Sequence, residues 1–436
     1  MKTRIALALM ATFIALPAHA QLSPAEKKMG QTVDAEQARS IALLETLVNQ
    51  NSGSLNLPGV TRVGEMMRAE LEGLGFAVTW VPMKKAGRAG HIVATHKGNG
   101  RGRKMLLIGH LDTVFEPNSP FQTFERSGDK GVGPGAGDDK GGMVVMLAAL
   151  RAMQAAGTLK GADIEIVLTG DEEDVGDPVT VARADLIAAG KRADVALDFE
   201  GLSVEAGRDM GSIARRSSSS WTISVTAKGG HSSRIFSAEA GDGAIYALAR
   251  ILRDFRTELP EPNLTYNVGL ITGGARAGLD ANGIEATASG KTNIMAEIAI
   301  ARGDLRTLSD DQTKRVRERM TAIVARDYPG AKAGIEFGKD GYPAMAPTDG
   351  NRALLAKLNG INRDLGLPEM AALDPLKRGA GDIAFVAGDV DGLVGLGPSS
   401  SGDHAPGETV DLASFPRQAK RAAILMTRLS QEKPAR

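Results

Sequence analysis

Three short apolar runs stand out along the chain: Lys104 to Ile108, Ile164 to Leu168 and Val195 to Leu197. Each has the length of a buried strand, and each gives way at once to polar residues. Gly142 to Ala156, between the first two, is rich in Met, Ala and Leu and predicts a buried helix. Ala35 to Val48 carries Ile41, Leu44 and Leu47 at helical spacing. Strands alternating with helices predict an α/β domain on a mainly parallel central sheet. Residues 21 to 33 are polar and read as a loose lead-in, which puts the start of the ordered domain near residue 34.

Near residue 216 the pattern changes. Trp221, Ile223, Val225 and Ala227 alternate with polar residues, as in a strand with one face in water. Ile245, Leu248, Ala249, Leu252 and Phe255 recur at helical spacing, and a second helix opens with Ser309 as N-cap and Gln312 completing a capping box. Alternating segments at Leu264 to Ile271, Glu285 to Ala288, Ile294 to Arg302 and Gly334 to Phe337 surround these helices. The order predicts an inserted α+β domain over 216–342, a four-stranded sheet with two helices on one face. From 343 the first pattern returns, with Leu354, Leu355 and Leu358 in a helix. The α/β domain is therefore expected in two pieces, 34–215 and 343–434.

Composition narrows the function classes. Lys plus Arg and Asp plus Glu both total 52, so no global basic field draws in phosphate backbones. Aromatic residues are only 4% and do not interleave with basic clusters, which leaves no stacking platform for single strands. Nucleic acid is excluded as a partner on both counts. At the N-terminus, Lys2 and Arg4 precede an apolar run from Ile5 to Pro17 and then Ala18-His19-Ala20. This has the form of a secretory leader over residues 1–20, cut after Ala20, and implies a periplasmic or secreted protein. The run is too short for a stable membrane anchor. The chain has no cysteine, so any metal site must be built from His, Asp and Glu.

All three apolar strands end in such residues. The first runs into His110 and Asp112, the second into Asp171, Glu172 and Glu173, and the third into Asp198 and Glu200. Ligands of open α/β sheets bind outside the carboxyl ends of the strands. A glycine-rich stretch from Gly131 to Gly142 brings Asp138 and Asp139, and a late turn brings His404. Taken singly, each piece reads as an ordinary polar residue or a solvated acidic loop. Only the combination points to a metal centre.

Six strings carry a resemblance to a known family: GHLDTVF at 109–115, GPGAGDDKGG at 133–142, GDEED at 170–174, LDFEG at 197–201, KGGHSS at 228–233 and GDHAPGETVDL at 402–412. In this order they resemble the M20 metallopeptidases, and among those the glutamate carboxypeptidase type. The resemblance implies two Zn²⁺ ions, with Co²⁺ or Mn²⁺ as other metals that such ligands admit. Asp138 would bridge the ions, His110 and Glu200 would complete one site, and Glu173 and His404 the other. Asp112 would fix the His110 imidazole, and Asp139 would be structural, joined to Asp138 by a cis peptide. Glu172 would be the general base. His231 would stabilise the oxyanion, commonly in the partner subunit of a homodimer paired through the inserted domain, and Asn293 would contact substrate.

The implied substrate is a small peptide or N-acyl amino acid, cleaved by a carboxypeptidase, with an aminoacylase, a dipeptidase or a non-catalytic binding protein on the same fold as the other possibilities. Family members that remove C-terminal glutamate carry an Arg near the end of the inserted domain. Here Gly338-Lys339-Asp340-Gly341-Tyr342-Pro343 has none, which leaves Lys339, Arg276 or Arg378 to take its place. His91 and His96 match no family position and read as core or surface histidines.

Overall fold

The computed structural model describes residues 22–339 and 341–434. The leader and its cleavage point at Ala20 lie outside the described residues. Among the described residues, no helix is long and apolar enough to cross a membrane.

A six-stranded sheet forms the larger part, in the order Ala77–Pro82, Gly90–His96, Ile164–Thr169, Met105–His110, Val195–Asp198, Gly392–Leu393. The last four strands run parallel, and Gly90–His96 is antiparallel to both of its neighbours. Successive side chains of a strand point to opposite faces. Thus Met105 and Leu107 join the core under helices Lys140–Ala155 and Ser414–Leu429, while Leu106 and Ile108 join a second core with Val167, Leu186 and Ile383. Both faces are covered, which is why these strands read as continuous apolar runs.

The lead-in expected at 21–33 is instead the helix Pro24–Ala35, so the ordered chain begins about ten residues before position 34. Ser23 accepts from the Glu26 amide at 3.3 Å and donates its own amide to the Glu26 carboxylate at 2.7 Å. This is a capping box with Pro24 at the first helical position. Met29 and Val33 are buried in the main core, and Arg428 of the C-terminal helix bonds Glu26 at 2.7 Å.

Between the two parts of this layer lies a separate four-stranded antiparallel sheet, in the order Thr265–Gly274, Ile298–Arg306, Ser219–Ala227, Ala331–Phe337. Trp221, Ile223 and Val225 pack with Ala244, Leu248, Ile251 and Phe255 of one helix and Val316 and Met320 of the other. The segment expected as a strand at Glu285–Ala288 is one, but it pairs with Arg276–Leu279 in a two-stranded ribbon outside this sheet. Ser309 caps its helix through the Gln312 amide at 3.1 Å, while the Gln312 side chain bonds the Leu308 amide at 2.7 Å, one residue earlier than a capping box requires. The α/β sheet with an inserted four-stranded, two-helix α+β layer is the fold class expected from the sequence.

Trp221 is fully buried, edge-on to Phe255 at 5.9 Å, and its indole donates to the Asp304 carbonyl at 2.9 Å. Trp221→Ala is expected to cost about 3 to 5 kcal/mol, read as a lower chemical-denaturation midpoint for the smaller sheet.

Candidate metal centre and active site

His110 ends its strand in register with Thr169, and Ile108 is in register with Asp198. Parallel pairing therefore delivers the His110-Leu111-Asp112, Asp171-Glu172-Glu173 and Asp198-Phe199-Glu200 segments to one edge. The glycine-rich loop brings Asp138 to the same edge, just before helix Lys140–Ala155, and the Asp138–Asp139 peptide is cis. Gly142 lets that helix start close to the site. A Cβ there would lie 2.0 Å from Asp139 Oδ1 and 2.1 Å from the Phe199 carbonyl.

Asp138 lies between two imidazoles. Its Oδ1 is 3.0 Å from His110 Nε2 and its Oδ2 is 3.0 Å from His404 Nε2. His404 Nε2 is also 3.1 Å from Glu173 Oε2. His110, Asp138 and Glu173 each offer a ligand atom, all within 4.8 Å of one another. Glu200 lies outside that group, with its carboxylate paired to Arg215 and, at 3.3 Å, to Arg378. The donor set is imidazole and carboxylate, and each Asp138 oxygen has its own imidazole, which suits two divalent ions sharing one carboxylate.

Asp112 fastens this arrangement from behind. Its two carboxylate oxygens accept the Glu172 and Glu173 amides at 3.0 and 3.1 Å, and Ser54 donates to it at 2.6 Å. The His110 Nδ1 lies 3.1 Å from the Asp112 carbonyl, which fixes the imidazole with Nε2 turned toward Asp138. Glu408, to which the sequence assigned no role, accepts the amides of Gly135, Gly137 and Asp138 at 3.1, 2.7 and 3.0 Å. It stood inside a matching string, but nothing in its neighbours betrays so remote a contact.

The expected lid residues form a second group. Ser232, next to His231, donates to the Asn293 carbonyl at 2.9 Å, so His231 and Asn293 sit side by side on the inserted layer. Both are exposed, and His231 Nδ1 bonds Ser233 at 2.9 Å. Neither belongs to the His110, Asp138 and Glu173 group of this chain. His91 is fully buried against Asp171 at 3.1 Å, and His96 bonds the Ala162 carbonyl at 2.9 Å beside Phe76, so both are packing residues. Of the cations considered for a missing arginine, Arg378 reaches the metal edge. Lys339 lines a small cavity with Ser217, Ser219 and Arg317 instead. A cavity of about 720 Å³ at the opposite end of the strands, lined by Lys104, Met105, Ile164 and Asp194, shares none of the site side chains.

The family model described as Peptidase family M20/M25/M40 matches residues 106–428. The chain belongs to this family. It is 29% identical over 449 aligned residues to carboxypeptidase G2 of Pseudomonas sp. (strain RS-16), covering 99% of both chains. Among solved structures, it is similar to a tripeptidase from Staphylococcus aureus, with a TM-score of 0.69 and 18% identity over 91% of this chain and 99% of that one. A dinuclear metal-binding M20 peptidase from Bacillus subtilis matches with a TM-score of 0.63 and 17% identity over 91% and 99% of the two chains. At these identities the structures speak to the fold. The protein is thus an M20 metallohydrolase acting on peptides.

The electrostatics of this M20 site are dominated by buried acids. Burial raises the Asp138 pKa, but hydrogen bonds from His110 and His404 outweigh it and hold the carboxylate far below its usual range. Hydrogen bonds to Asp138 and Glu173 lift His404 to about 11. Burial pushes Glu173 up to about 7, with the Asp138 charge adding and His404 offsetting. Glu172 is held well above the ordinary carboxylate value, first by burial and then by the charges of Glu200, Asp382 and Glu173, against the opposing His110.

Metal coordination needs a neutral imidazole, so a cation that took His404 as a ligand would displace its proton at any pH below about 11. If His404 is such a ligand, metal affinity is expected to rise with pH, with roughly one proton released at this position. Titration calorimetry in two buffers of different ionisation heat reads that release, and His404→Asn should remove it.

Proposed function

We propose that this M20 peptidase is a dizinc carboxypeptidase that hydrolyses an amide bond of a small peptide or N-acyl amino acid. The observation that carries the proposal is Asp138, with His110 on one carboxylate oxygen and His404 on the other. In it, Asp138 bridges the ions, His110 and Glu200 complete one site, and Glu173 and His404 complete the second. Zinc suits this cysteine-free set, and cobalt or manganese would also bind. Two ions held there supply polarisation of the scissile carbonyl and a water of lowered pKa.

Glu172 is the general base in this proposal, taking the proton from water and returning it to the leaving amine. Its amide is tied to Asp112 at 3.0 Å, which supports a fixed carboxylate beside the ligands rather than a free surface acid. Arg378 supports recognition of a substrate carboxylate. Its buried Nε has no hydrogen-bond partner, and guanidinium groups suit bidentate pairing with carboxylates. The full-length similarity to a carboxypeptidase supports that choice over an aminoacylase or dipeptidase.

His231 and Asn293 complete the site from the inserted layer in this proposal, with His231 acting in a partner subunit on the tetrahedral oxyanion. Ile245, Tyr246 and Ile271 are 48%, 52% and 58% exposed on that layer, an apolar surface that supports a homodimer. The leader at 1–20 makes the mature enzyme periplasmic or secreted in the same proposal.

Glu172→Gln is expected to keep two metal ions per chain by elemental analysis while kcat falls by roughly 10² to 10⁴. Undiminished turnover after complete chelation would sink the metal chemistry. Release from unblocked dipeptides, with none from N-acyl amino acids, would make the enzyme a dipeptidase instead of a carboxypeptidase. Ile271→Lys, on the edge strand of the inserted sheet, is expected to give a monomer in sedimentation with kcat lowered roughly 10²-fold, the scale for losing one oxyanion contact. A monomer with full activity would remove the shared role of His231.

A further inference from the structure

The inserted layer joins the main sheet through two chain segments that pair with each other. Arg215 and Met345 exchange amide-to-carbonyl bonds at 3.0 and 2.9 Å, as do Ser218 and Tyr342 at 3.0 and 2.9 Å. Any rotation of the small layer against the large one must turn this two-stranded connector. From it the Tyr342 side chain points to the catalytic edge, where its hydroxyl donates to the Glu172 carbonyl at 2.6 Å.

The same hydroxyl accepts from Arg183 Nη2 at 3.0 Å. Arg183 is fully buried and bonds Asp171 Oδ1 at 2.6 Å, the Asp171 carbonyl at 2.9 Å and Asp382 Oδ1 at 2.7 Å. Glu172 is therefore held on both sides. Its amide belongs to Asp112 on the rigid sheet edge, and its carbonyl belongs to Tyr342 on the connector. A residue whose two flanking peptide groups are both pinned has little freedom in the backbone dihedrals that aim its side chain, and small misplacements of a reacting group are costly in rate.

We infer that Tyr342 is a positioning residue that transmits the setting of the inter-layer connector to the Glu172 carboxylate, so that movement of the inserted layer and aim of the base are one event. This rests on Glu172 being the base. It differs from a lid that only covers substrate, because the contact lies behind Glu172 rather than over the metals.

The test uses the full-length, metal-loaded protein. Tyr342→Phe keeps the ring against Phe385, 5.0 Å between centroids, and deletes only the hydroxyl. Its kcat is expected to fall about tenfold, with KM within about twofold and metal content unchanged, and with an altered pH profile of kcat. Phe385→Leu removes the ring contact and keeps the hydroxyl bond; it should lower the melting temperature and leave kcat alone. Wild-type kcat in Tyr342→Phe overturns the inference, as does an equal loss of kcat in Phe385→Leu. Glu172→Gln separates the two levels. Full turnover there removes the base assignment and the linkage with it, whereas an inactive Glu172→Gln beside a fully active Tyr342→Phe removes the linkage alone.

Discussion

Asp138, Glu172, Glu173, Asp198 and Glu200 converge where three buried strands end, and the rest of the molecule is arranged around the cost of keeping them there. Burial alone drives such groups toward their neutral forms. All but Glu172 are answered by a partner of opposite charge or by a backbone amide. Asp138 has two imidazoles, Glu200 has Arg215 and Arg378, and Asp171 and Asp382 share the buried Arg183. Removing one member of such a set leaves an unpaired buried charge, which is costlier than the pair is favourable. The site is thus specified as a whole, and the arginines that look peripheral belong to its electrostatics.

The backbone contributes as much as the side chains. Asp112 takes two amides of the acidic loop and Glu408 takes three of the glycine-rich loop, so both loops are held by carboxylates behind the acids and imidazoles gathered at the strand ends. Charge-assisted bonds of this kind are stronger than neutral ones and fix loop shape without filling the space a substrate needs. The parallel strands set the coarse positions, and these carboxylates set the fine ones.

How much of this was legible follows from the range of each interaction. Strand ends and the buried helix could be read, because periodicity is a local signal, whereas the approach of His110, Asp138, Glu173 and His404 was implied by the resemblance of short strings to the M20 family. The helix Pro24–Ala35 was misread as a lead-in because its buried side shows little more than Met29 and Val33, although Ser23 and Glu26 already formed its cap in the sequence. Ala286–Ser289 alternates as a strand should, but alternation does not say which sheet a strand joins. Arg215 stands beside a serine run that looks like a linker. Tyr342 meets Glu172 across 170 residues, and no local pattern announces that bond.

The Glu408 cradle also has a bearing on biosynthesis. Glu408 lies 270 residues beyond Asp138, and His404 just before it. A nascent chain on the ribosome can lay down the central strands and their acids long before either of these residues exists. The glycine-rich loop gains its clasp only once Glu408 has been made, 270 residues further on, and Asp138 its second imidazole only with His404. Every chain that stops short of these two residues carries the acids without the means to complete their arrangement, so the topology itself delays assembly of the site until both have been made.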